Sequence, residues 1–315
     1  MFKVLPDETP VHQFDIASRE LGSIVGELPG PSILATGGIH GNEPAGVAAL
    51  IRVMEELRRS AIPFRGQIHA VVGNLNALRH HLRFIDTDLN RMWKPGHPEQ
   101  CAELDEKREL DAYIQERLVT TPKPHILLDL HTTSAEGAPF CLLGSQNPAE
   151  LRSSLFTVPQ IIGLIDLIPG TLAHHLVHQG HRAFVFEGGQ HRVPKTLQNL
   201  EHAIWLFLVE VGCLAEQDVV DLAERQAALA AEAVGLPRFL DVKYRHPVLP
   251  SDEFMMKPGF FNFDRVEKGQ LLAWDRSGEI HAPFSGRILM PLYQGQGTDG
   301  FFLGVGLDEN GQPEN

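Results

Sequence analysis

Short apolar runs alternate with amphipathic stretches through the first two thirds of the chain. Ser32-Ile33-Leu34-Ala35-Thr36 predicts a buried strand that ends in Gly37-Gly38. Val47, Leu50, Ile51, Met54 and Leu57 then recur at helical spacing, which predicts a helix over residues ~44–60 with one apolar face. Asn42 is positioned to cap it, and Pro44 suits its first turn. Gln67 to Gly73 reads as a second strand and Glu99 to Val119 as a charged, exposed helix. His125 to Leu130 and Arg182 to Phe186 read as further buried strands, and Thr196 to Val211 and Val219 to Ala233 as helices. This alternation implies an α/β fold with a central sheet covered by helices on both faces.

After residue 238 the chain is rich in Pro, Gly and aromatics. Its apolar runs are short: Phe260-Phe261, Leu271 to Trp274, Arg287 to Met290 and Phe301 to Leu303. Residues 239–315 therefore read as a small all-β domain following a catalytic domain over 1–238. Functional groups of open α/β sheets gather beyond strand ends. Three polar clusters lie at such ends: His40 to Glu43, His131 to Ser134 and Glu187 to His191. They point to one shared site.

Composition narrows the chemistry. The 40 acidic residues outweigh the 27 Lys and Arg, for a net charge of -13. No basic run offers a footprint for a phosphate backbone, so nucleic acid is not an expected partner. No stretch is apolar enough to span a bilayer, and Met1 to Asp15 lacks the apolar core of a signal peptide. Cys101, Cys141 and Cys213 have neither disulfide-framework nor CxxC spacing, which fits a reducing cytoplasm.

His40 and Glu43, three residues apart at a helix start, can converge on one cation, with His131 as a distant third donor. Catalytic zinc takes three such ligands and keeps one position open. Alone, the pair reads equally as polar residues of a glycine-rich loop. Asp129, two residues before His131, shares its face of the strand. It can orient a ligating imidazole or cap a loop. Arg83 and Arg91 suit carboxylate binding or surface ion pairs. Glu187 closes an apolar strand, where an unpaired carboxylate is costly; it is a candidate general base or a capped structural residue. His174, His175, His178, His181 and His191 read as loop residues near the pocket mouth or exposed side chains, with no second metal expected. Gly37 to Gly41 lacks the endings of phosphate-binding loops.

Taken together, GGIHGNEPAG (37–46), GNLNA (73–77), Arg83 with DTDLNR (86–91), DLHTT (129–133) and FEGG (186–189) resemble the succinylglutamate desuccinylase and aspartoacylase family. The resemblance covers roughly residues 30 to 200, with the family's C-terminal β domain matched by 240 to 315 without a sharp motif. It implies a zinc carboxypeptidase-like fold with a mixed sheet. It further implies that His40, Glu43 and His131 hold one Zn2+, that Glu187 takes a proton from the water there, and that Arg83 polarises the scissile carbonyl. Asn90 and Arg91 would grip a substrate carboxylate. One departure stands out. The arginine that aspartoacylases carry roughly ten residues before the catalytic glutamate is replaced here by His174-His175-Leu176-Val177-His178, which speaks against N-acetylaspartate. The expected activity is zinc-dependent deacylation of a small N-acyl amino acid. A zinc carboxypeptidase acting on short peptides and a non-catalytic metal-dependent binding protein are the alternatives, the intact Glu187 arguing against the last. The oligomeric state stays open, a homo-oligomer included.

Overall fold

The computed structural model describes residues 16–118, 125–145, 147–308 and 311–313. The N-terminal stretch Met1 to Asp15, and Val119 at the end of the expected helix, lie outside them. In chain order the elements are β1 (Glu20–Val25), β2 (Leu28–Gly37), α1 (Pro44–Arg59), β3 (Arg65–Val72), α2 (Leu75–His80), α3 (Ala102–Leu118), β4 (Ile126–Thr133), β5 (Phe140–Gly144), β6 (Gln160–Ile162), α4 (Leu164–Leu167), α5 (Leu172–His178), β7 (Arg182–Gln190), α6 (Pro194–Glu210) and α7 (Leu222–Glu232). Seven strands follow: β8 (Phe239–Pro247), β9 (Met255–Met256), β10 (Arg265–Val266), β11 (Leu271–Asp275), β12 (Gly278–His281), β13 (Gly286–Leu289) and β14 (Asp299–Leu307).

Eleven of the described strands form one mixed sheet in the order β1-β3-β2-β4-β7-β5-β6-β8-β14-β13-β10. Its centre, β3-β2-β4-β7, is parallel. Side chains alternate across these strands as the two-residue period requires. On β4, Ile126, Leu128 and Leu130 enter one core with α1 and α6, while Leu127 enters the opposite core with α3, α4 and α5. On β7, Phe184 and Phe186 face the first core, and Ala183 and Val185 the second. Helices thus cover both faces, as the alternation of elements implies. Beyond residue 238 the chain is strands: β8 pairs parallel to β6 and antiparallel to β14. β9, β11 and β12 make a second, three-stranded sheet. A third apolar cluster, including Met256, Leu272, Ile288 and Phe301, fills the space between them.

Two sequence expectations need correction. The residue at the N-cap of α1 is Glu43, not Asn42, and no side chain caps the helix by a hydrogen bond. Glu43 turns its carboxylate to two histidines instead, and Asn42 Nδ2 donates to Gln294 Oε1 at 3.1 Å. Helix α3 is not wholly exposed either. Leu110 and Ile114 enter the second core and Glu103 is fully buried. Glu103 accepts the backbone N–H groups of Ile85, Asp86 and Thr87 at 2.6, 3.1 and 3.0 Å, pinning the loop that leads to Asp88 and Asn90. A high charge count concealed that single buried stripe.

Candidate metal centre and pocket

Backbone packing delivers the site residues to one point. The loop between β2 and α1 passes so close to α2 that a Cβ on Gly41 would sit 2.1 Å from the Ala77 carbonyl carbon. Only glycine fits next to His40. Gly46, in the first turns of α1, leaves no room for a Cβ either, since one would stand 2.9 Å from Leu130 Cβ. That close approach brings the start of α1 onto the end of β4, and so brings Glu43 to His131. On the sheet, His131 and Glu187 are register partners on the parallel neighbours β4 and β7, so both project from the same face.

The donor atoms follow. Glu43 Oε1 lies 2.9 Å from His40 Nδ1, and Oε2 lies 3.1 Å from His131 Nδ1 and accepts the Thr132 backbone N–H at 3.0 Å. One atom from each of His40, Glu43 and His131 falls within 4.8 Å of the others, and all three residues are buried. Behind each imidazole stands a carboxylate: Asp129 Oδ2 is 3.0 Å from His131 Nε2, and Asp88 Oδ1 is 3.2 Å from His40 Nε2. Asp129 is itself held by the Thr36 hydroxyl, which donates to Oδ1 at 2.6 Å. Two imidazoles and a carboxylate, each ring backed by an anion, are the donor set and support that a divalent metal of the zinc type takes. The residues present fit such an ion. No second group of three metal-binding side chains occurs among the described residues.

Electrostatics reflect this crowding. Burial would raise the carboxyl of Glu43, but His40 and His131 outweigh it and hold it well below the usual carboxylate range. Burial likewise opposes the charging of His131, and Asp129 and Glu43 overcome it and raise its pKa well above the ordinary imidazole value. Asp88 is lowered despite burial by His40, Arg83 and Arg91. Glu187 behaves oppositely. Burial, aided by Glu43 and Asp129 and opposed by His131 and Arg83, pushes it up to about 8. Its Oε2 is buried without a hydrogen-bond partner. This is a carboxyl with a free oxygen beside the donor triad, the arrangement found at proton-transfer sites.

The same pocket receives Arg83, Asn90 and Arg91. Arg83 donates to Asp88 Oδ2 at 3.3 Å and to Glu43 Oε1 at 3.5 Å. Asn90 Oδ1 accepts the backbone N–H of Leu172 at 2.9 Å, tying the loop to α5. Arg91 pairs with Asp299 of β14 and donates to Thr298 Oγ1 at 3.2 Å. All eight residues singled out from sequence thus line one pocket. Of the histidine cluster, only His191 reaches it among the described residues, its Nδ1 2.6 Å from the hydroxyl of the lining residue Thr132 in the turn after β7. His174, His175 and His178 lie on helix α5 rather than in a loop, and the rings of His174 and His178 stack at 4.0 Å away from the pocket lining. His181 is buried and stacks on His125 at 4.8 Å, at the start of β4 and β7 and so at the opposite end of the sheet from Glu187. The free cysteines Cys141 and Cys213 are buried, and Cys101 is half-buried. No helix among the described residues is long and apolar enough to cross a membrane.

Sequence reasoning gave Asp88 no role, although it lies inside the 86–91 motif. Its Oδ1 accepts the Asn90 backbone N–H at 2.8 Å, the local turn expected of an Asp two residues before its donor. That signal marks a turn; the contact with His40, 48 positions away, is tertiary.

A mixed α/β sheet carries a buried His/Glu/His group and a carboxyl with one unpartnered oxygen at its strand ends, which defines an α/β protein with a candidate metal centre. The catalytic-domain profile of the succinylglutamate desuccinylase/aspartoacylase family matches residues 29–201. The chain belongs to that family. Among curated relatives it is similar to the succinylglutamate desuccinylase of Pseudomonas aeruginosa (strain LESB58), 28% identical over 127 residues, which is 40% of this chain and 38% of that one. The chain therefore aligns with well under two thirds of that relative's length. The fold is shared along nearly the whole chain with the succinylglutamate desuccinylase of Vibrio cholerae, with a TM-score of 0.69 and 17% identity over 96% of each chain. It is also shared with the product-bound ectoine utilization protein EutE (DoeB) of Ruegeria pomeroyi, with a TM-score of 0.61 and 19% identity over 90% of this chain and 87% of that one.

Proposed function

We propose that this protein is a zinc-dependent deacylase that hydrolyses the amide bond of a small N-acyl amino acid. The observation that carries this reading is the meeting of His40, Glu43 and His131 with the partner-free Oε2 of Glu187 on the adjacent strand. When bound by His40, Glu43 and His131, zinc supplies Lewis acidity, polarising a carbonyl and lowering the pKa of water.

The chain's own groups do the rest. Glu187, ionised, accepts a proton from water on Oε2 as the water oxygen bonds to the amide carbon. It then passes that proton to the departing nitrogen as the C–N bond breaks, leaving a carboxylate and an amine. Burial favours the protonated form of Glu187 and so helps it hold the proton between the two halves of this transfer. Arg83 donates hydrogen bonds to the oxygen on which negative charge develops, and the loss of one such donor raises the barrier by about 3–4 kcal/mol. Asn90 and Arg91 hold the substrate carboxylate. Asp88 and Asp129 fix the two imidazoles. The catalytic unit of this reading is the chain up to residue 238, and the strands and loops after it contribute Met290, Thr298, Asp299 and Phe302 to the pocket lining.

The test is a metal analysis followed by a hydrolysis screen of the zinc-loaded protein against N-acetyl, N-succinyl and N-formyl amino acids and dipeptides. One zinc per chain and release of an amino acid from N-acyl substrates are expected. Cleavage confined to dipeptides would make it a peptidase, and zinc binding without any cleavage would make it a binding protein.

A further inference from the structure

Beyond its polar end the pocket continues as an apolar pouch. Val185 precedes Glu187 by two residues on the same face of β7, one strand repeat of about 6.6 Å away. Leu142 of β5 is its register partner. Leu164 and Ile165 of α4 and Phe302 of β14 close the space, and all five side chains are buried. Ile168, half-buried, stands at the rim.

The charges of the lining agree with this apolar character. Arg83 and Arg91 are its only Lys or Arg side chains among the described residues, against Glu43, Asp129, Glu187 and Asp299. Asp299 already engages Arg91 and Arg245, and Arg83 is shared by Glu43 and Asp88. A divalent cation at the triad brings the lining close to neutrality. One substrate carboxylate can then share Arg91, but a second one reaching the pouch would be buried without a partner.

We propose that the substrate is an N-acyl amino acid with a single carboxylate and an apolar chain, and that this chain packs against Leu142, Ile165, Val185 and Phe302. The inference rests on the deacylase reading, and its test separates the two. Zinc-loaded protein is assayed with N-acetylleucine, N-hexanoylglycine, N-acetylalanine, N-acetylaspartate and N-succinylglutamate. Each buried methylene is worth about fourfold, so N-acetylleucine, three carbons longer in its side chain, should exceed N-acetylalanine by about sixty-fold in kcat/KM if the side chain fills the pouch, and N-hexanoylglycine, four carbons longer in its acyl chain, by about 250-fold if the acyl chain does. N-acetylleucine leads if the amino-acid side chain fills the pouch, and N-hexanoylglycine if the acyl chain does. Calorimetric binding to the Glu187→Gln protein should rank the compounds in the same order. The rim variant Ile168→Arg should lower kcat/KM for the apolar substrate and raise it for N-acetylaspartate. Preference of the unmodified protein for N-acetylaspartate or N-succinylglutamate overturns the pouch assignment and leaves the deacylase reading standing. Cleavage of none overturns both.

Discussion

Replacing Asp88 by Asn perturbs the centre without touching a proposed ligand. Asp88 is 5% exposed and serves three groups: His40 Nε2 at 3.2 Å, the Asn90 backbone N–H at 2.8 Å and Arg83 at 3.3 Å. An asparagine oxygen still accepts from Asn90. The other oxygen becomes an NH2 group, a donor facing the donors of Arg83, and the negative charge behind His40 is gone. Carboxylates behind ligating histidines contribute about 10–100-fold to metal affinity, or about 1.4–2.7 kcal/mol. Asp88→Asn should therefore weaken zinc binding by about that factor, and Asp129→Asn, at 3.0 Å from His131 Nε2, by a similar one. The assay is competition for zinc against a chromogenic chelator, with far-UV circular dichroism confirming the fold. A folded Asp88→Asn protein that holds zinc as tightly as the unmodified chain would refute the pairing of Asp88 with a metal-bound His40.

Other consequences are measurable. Glu187→Gln should keep zinc stoichiometry but lose about 10²–10⁴-fold in kcat, the usual contribution of a general base, measured by amine release. Glu103→Gln replaces one of two oxygens that accept the N–H groups of residues 85–87, leaving donors unpaired. At about 1–3 kcal/mol for each fully buried donor and less for these half-buried ones, melting should fall by several degrees in a thermal scan. The metal-free protein should lose stability as pH rises. His131 has a folded pKa above its unfolded value, so its contribution is complete below about 6.5 and is lost as pH climbs through the folded value. Glu187, raised from 4.5 to about 8, also binds its proton more tightly when folded, and its contribution is lost across that interval. Melting temperatures of metal-free protein should fall from pH 6.5 to 8.5. Zinc should reduce the fall, because its binding displaces the His131 proton. A melting temperature that rises over this range in the metal-free protein would contradict these assignments.

The legible part of the fold was its periodic part. Helix α1 runs Pro44–Arg59 where an apolar recurrence over 44–60 predicts it, and β2, β4 and β7 stand where apolar runs end in polar clusters. Those strand ends carry His40, His131 and Glu187, so the site was readable because its residues sit where the hydrophobic pattern stops. Less legible were β5, β6 and α5. β5 and β6 are short, and α5 carries three histidines among its seven residues, which masks the apolar face formed by Leu172, Leu176 and Val177. Asp88 and Glu103 were missed for a different reason. Each is defined by partners distant in the chain, and a lone acidic residue has no local signature of burial. Arg91 shows the converse. Its type suits carboxylate binding, but the local sequence gives no sign that its guanidinium also pairs with Asp299, 208 positions on.

The account stands most directly on where one divalent ion settles. Crystals of the zinc-loaded protein, measured on both sides of the zinc absorption edge, give the ion's position from its anomalous signal alone. One peak per chain is expected, about 2.0–2.2 Å from a nitrogen each of His40 and His131 and an oxygen of Glu43, with Glu187 beside it and outside the coordination. A peak elsewhere, or one coordinated by Glu187 in place of Glu43, would contradict it.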